Sequence, residues 1–71
     1  MNFRENMFKE KMFEVLQNTL DNVKYSRDND DKNCEEFFMN EFWAYCRYYF
    51  MVTGEFVEPR DWKVVVVEPR P

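Results

Sequence analysis

From Phe3 to Ser26 the positions Phe8, Met12, Val15, Leu16, Thr19, Leu20 and Val23 recur at steps of three and four, while Glu10, Glu14, Gln17, Asn18 and Asp21 fall opposite. A single stripe at that spacing predicts an amphipathic helix over 3–26. Asn2 followed by Glu5 has the spacing of a capping box. Lys9 interrupts the stripe, where its alkyl stem can lie along apolar surface while the ammonium reaches water.

Residues 27–33, Arg-Asp-Asn-Asp-Asp-Lys-Asn, contain no apolar side chain and are rich in turn formers. They predict a loop between antiparallel helices. A second helix is expected over 34–53, with Asn33 as its cap and Gly54 as the left-handed residue that ends it. Its pattern is not a stripe. Phe38, Phe42, Tyr45, Tyr49 and Val52 share one face, Met39, Trp43, Cys46 and Phe50 form an adjacent one, and only Glu36, Asn40, Ala44 and Arg47 make a polar strip. The apolar arc covers about 200°, against the roughly 100° that a surface helix needs.

The remainder changes period. Val64–Val67 is β-branched throughout and predicts a strand. Residues 55–58 are expected to pair with 62–67 in a hairpin over 55–68, around a type I turn at Glu58-Pro59-Arg60-Asp61. That hairpin is expected to turn Phe56, Trp62, Val64 and Val66 toward the helices. Val-Glu-Pro-Arg occurs at both 57–60 and 67–70, consistent with proline ending a strand twice. The valine run does not alternate, so both its faces call for cover. A lone hairpin is also marginal in water. Val65 and Val67 are therefore candidates for a dimer strand, which would extend the hairpin into a four-stranded sheet across a homodimer.

The fold class expected is α+β, in the order ααββ, as one small domain over 1–71. A 71-residue chain buries only about 60% of the surface its unfolded form exposes. Eight of the fourteen residues 37–50 are aromatic, more than so small an interior can hide. Met39, Trp43, Cys46 and Phe50 are accordingly the candidate protein interface, since aromatic and Met side chains are enriched there. A homodimer is expected, through this face, the valine strand or both, and a foreign target is the further candidate partner; for this face, sequence does not separate the two.

Net charge is −4, and residues 28–41 hold six Asp/Glu against one Lys. Asp28, Asp30, Asp31, Glu35 and Glu36 form an electrostatic patch that would speed docking of a basic partner. No basic face exists for phosphates, so direct nucleic-acid binding is not expected. An EF-hand loop starting at Asp28 needs Gly at its sixth position and Glu at its twelfth; Asn33 and Met39 stand there, and no metal or other cofactor is expected. Cys34 and Cys46 lie about 18 Å apart along one helix, beyond disulfide reach, and read as reduced thiols. The chain has no histidine, a single serine and no glycine-rich phosphate loop, so no enzyme is expected. Neither a signal peptide nor a membrane span is expected, which places the protein in the cytoplasm.

Short, acidic, rich in Met, Phe, Tyr and Asn/Asp, and without a catalytic signature, the chain resembles the small early and accessory proteins of tailed bacteriophages. That resemblance implies binding to a host enzyme or defence component, in the host bacterial cytoplasm, and blocking or redirecting it. The reading is a non-enzymatic protein-binding module acting by steric occlusion. The alternatives are a self-associating structural subunit of a larger assembly and an acidic nucleic-acid mimic.

Overall fold

A computed structural model describes residues 3–67. Two antiparallel helices, α1 (Phe3–Asp28) and α2 (Lys32–Thr53), are followed by a hairpin of β1 (Phe56–Arg60) and β2 (Lys63–Val67). This is the ααββ arrangement expected. Asn2, residue 68 and the second Val-Glu-Pro-Arg segment fall wholly or partly outside the described residues.

The acidic loop is shorter than its composition suggests. Helix α1 runs on through Arg27 and Asp28, and α2 starts at Lys32. Asp30 takes a left-handed φ of 56°. Its N–H donates to the Arg27 carbonyl at 3.1 Å, and the Asp31 N–H donates to the Ser26 carbonyl at 2.9 Å. Those two bonds are a Schellman ending, which satisfies the last carbonyls of α1 within the loop itself. Asp31, not Asn33, caps α2: its Oδ1 accepts from the Cys34 N–H at 3.1 Å. At the other end Gly54 (φ 77°) closes α2 as expected, with its N–H on the Phe50 carbonyl at 2.8 Å.

The core is one layer between α1, α2 and the hairpin. Met12, Leu16, Leu20 and Val23 line up along α1 with Thr19 and Ser26; Phe42, Cys46 and Tyr49 come from α2, and Val57 from β1. Strand β1 lies on α2 and β2 on α1. The principal extents are 42 × 28 × 18 Å, so the thinnest direction holds little more than a helix layer, about 10 Å, plus a two-stranded ribbon. Helix α2 is therefore covered only where α1 and β1 meet it. Val52, which shares a helical face with Phe42 and Tyr49 in the sequence pattern, is exposed, because the buried line Phe42–Cys46–Tyr49 leaves it on the flank.

The hairpin turn differs from the expected one. Pro59 sits inside β1, and the two loop residues are Asp61 and Trp62, with φ of 49° and 64°. Two successive left-handed residues are the mark of a type I′ turn, whose twist matches the strands better than type I does. Arg60 and Lys63 flank the loop, so the next pair, Pro59 with Val64, falls at a register position without a cross-strand bond. Proline costs nothing there. The shifted register also turns β1 over: Val57 points into the core and Phe56, expected against the helices, is exposed. Strand β2 keeps its expected face, with Trp62 and Val64 packed on the core, although Val66, opposite Val57 on that face, stays exposed.

Helix α1 grips the hairpin through one side chain. Gln17 Nε2 donates to the Trp62 carbonyl at 2.9 Å, and Gln17 Oε1 accepts from the Val64 N–H at 3.1 Å. The outward backbone of β2 at Val64 is thus already engaged. A four-stranded sheet through that edge would have to displace Gln17. Val65 and Val67 alternate with Val64, on the face of the ribbon turned away from the helices, where both are half-buried.

Candidate protein-binding surface

The four interface candidates on α2 divide. Trp43 and Phe50 are exposed, at 47% and 38% of their full surface, while Met39 is half-buried against the core. Cys46 is a core residue, and burial pushes its thiol pKa up to about 11. Val57 of β1 shares the core cluster with it, and the little surface Cys46 keeps lines the groove described below.

Phe56 joins this face from β1. Its ring stacks on Phe50 at a centroid separation of 4.2 Å and an interplanar angle of 21°. Trp43 stands edge-on to the buried Phe42 ring at 5.3 Å, which fixes its indole against the core while leaving nearly half of it in water. Between them runs an open groove of about 340 Å³ lined by Trp43, Cys46, Arg47, Phe50, Phe56 and Val57. Arg47 supplies the groove's one charge. An apolar surface with a flat aromatic wall and one guanidinium suits association, since exposed Trp and Arg are the usual anchors of protein interfaces. The cation–π contact among the described residues lies between Arg27 and Trp62, at 5.8 Å, and not at Arg47.

The platform under this surface is tied together at the α2–β1 junction. The Tyr49 hydroxyl, on a fully buried ring, donates to Glu55 Oε1 at 2.7 Å. Lys9 Nζ donates to Glu55 Oε2 at 3.3 Å. Burial first, then the Glu55 carboxylate, raises the Tyr49 pKa. The Tyr49 hydrogen bond, followed by Lys9, holds the Glu55 carboxyl below its usual range despite an opposing burial effect. Thr53 adds a bond from the Glu55 N–H to its Oγ1 at 3.1 Å. Phe56 therefore leaves a fixed base.

The acidic candidates are brought into one neighbourhood but are partly committed. Asp31 is the α2 cap, and the Cys34 backbone N–H lowers its pKa. Asp28 lies 3.9 Å from Lys24. Asp30 and Glu36 are exposed, and Glu35 is half-buried in the first turn of α2. Among the described residues no group of three or more His, Cys, Asp or Glu side chains has a geometry that could hold a metal. Cys34 is exposed, and its contact with Asp31 raises its pKa, the opposite of an activated thiolate. No described helix is long and apolar enough to cross a membrane.

Two contributors escape sequence reasoning. Phe56 reads as inward only when the turn is placed at Pro59-Arg60 instead of Asp61-Trp62, and Gln17 lies on the polar side of α1 with nothing in the pattern to mark its grip on β2. No protein-family model, curated protein or solved structure matches this chain.

Proposed function

We propose that this chain is a non-enzymatic protein-binding module, a phage-type modulator that works in the host cytoplasm by covering part of a host protein's surface. The observation that carries this reading is the exposed Trp43–Phe50–Phe56 wall with Arg47 in its groove, built on a braced helix end rather than a loop. Rigid aromatic anchors lose little conformational freedom on docking, which favours affinity from a small area. The acidic stretch around the α1–α2 loop speeds encounter with a basic target and makes the on-rate salt-sensitive.

The test is affinity capture from a bacterial lysate with wild type and with a Trp43→Ala, Phe50→Ala double variant whose fold is checked by circular dichroism. The reading expects a protein retained by wild type and lost by the variant. Identical retention by both sinks it.

A further inference from the structure

The exposed side of α2 repeats with the period of a coiled-coil seam. Glu36, Asn40, Trp43, Arg47 and Phe50 follow at steps of four, three, four and three, which keeps them on one line along the helix. All five are exposed. The two charged members stand toward opposite ends of the line, about 16 Å apart at 1.5 Å per residue, too far to meet each other. Neither has an ion-pair or hydrogen-bond partner among the described residues.

The line is complementary to its own reverse. A second copy turned about a twofold axis that crosses α2 between residues 41 and 42 runs antiparallel to the first. Arg47 then opposes the partner's Glu36, Asn40 opposes the partner's Trp43, and Phe50 opposes the partner's Asn33. Each contact occurs twice, as a twofold interface requires. Sliding by a heptad sets Arg47 against the partner's Trp43 and Glu36 against the partner's Gly54, so both charges lose their opposite number. One register alone matches both signs, and a second copy supplies both opposite charges at the spacing that register needs.

We infer that a second copy of this chain covers the Trp43 face through antiparallel α2–α2 pairing in that register. The inference rests on the reading of this face as an association surface, and it adds that a target must compete with self-pairing. A seam confined to one 22-residue helix falls short of the roughly 800 Å² per partner of a tight complex, so the dimer is a weak one, in the micromolar range.

Sedimentation equilibrium of the full chain from about 1 µM to about 0.5 mM spans that range. Wild type is expected to pass from monomer to dimer. Glu36→Arg alone and Arg47→Glu alone each set like charges opposite one another twice, and each is expected to weaken the dimer about tenfold or more. The double exchange, Glu36→Arg with Arg47→Glu, is expected to restore it. Both positions are exposed, and unchanged thermal melts confirm that every variant folds. Wild type that remains monomeric at the top concentration overturns the inference, as does a dimer indifferent to the charge reversals. If the monomer still captures a lysate protein through Trp43, the broader association reading survives; if it captures none, both fall.

Discussion

Replacing Gln17 by Ala removes the two hydrogen bonds that hold the hairpin to α1. The Trp62 carbonyl loses its 2.9 Å donor and the Val64 N–H its 3.1 Å acceptor, and both contacts are part-buried. A neutral hydrogen bond contributes about 0.5–1.5 kcal/mol net, so the pair contributes about 1–3 kcal/mol. A chain of 71 residues has only about 4–10 kcal/mol in all. At about 4–8 °C per kcal/mol for a domain of this size, the melting temperature should fall by about 5–20 °C. Gln17→Glu separates the halves: it keeps an acceptor for Val64 but sets a carboxylate against the Trp62 carbonyl, and at neutral pH it should destabilise the fold. Thermal unfolding followed by circular dichroism measures the sum, and hydrogen exchange at the Val64 amide localises it. A Gln17→Ala melt within about 2 °C of wild type, with Val64 still protected, would refute the view that this side chain fastens the ribbon.

Two further changes probe the turn and the junction. Trp62→Gly relieves a left-handed residue that costs about 1–2 kcal/mol but removes an indole packed against the core and under Arg27; a net loss of about 1–3 kcal/mol in urea unfolding is expected, and a gain in stability would show that backbone strain outweighs packing. Glu55 ionises more readily folded than unfolded, so its contribution is complete above the unfolded carboxylate pKa of about 4.3 and is lost as pH falls through the lower folded value. Glu55→Gln should be less stable than wild type at pH 7 and should lose less on acidification to pH 3; parallel pH–stability curves would contradict that account.

The order of the elements was legible because period and composition change sharply along the chain. The stripe of α1 and the β-branched run 64–67 each admit one reading, and Gly54, the lone glycine, stands where the end of α2 takes a positive φ. What failed was choice among equivalents. Residues 28–33 offer several Asp and Asn caps, and only the Schellman geometry selects Asp31. Pro59 with Asp61 resembles a type I turn, and no propensity announces a tryptophan at φ 64°. That error reversed the inward and outward assignment of β1, hiding Phe56 from the candidate surface. How deeply Cys46 is buried was illegible for a related reason. Helical periodicity marks an apolar arc, but which edge of the arc the hairpin will cover is a tertiary fact. Trp43 and Phe50 were legible because the surplus they belong to follows from chain length.

The left-handed Trp62 also fixes an order of events. Its backbone opposes closing the ribbon early, while its indole rewards closure only once α1 and α2 have formed the core surface that receives it. The two helices, joined by three residues and rich in near-neighbour contacts, assemble without it. Strands β1 and β2 thus arrive as latecomers that seal a preformed helical pair. Kinetically, damage at Gln17 or Trp62 should quicken unfolding and leave the folding rate nearly unchanged; a slowed folding limb would place the ribbon in the nucleus instead.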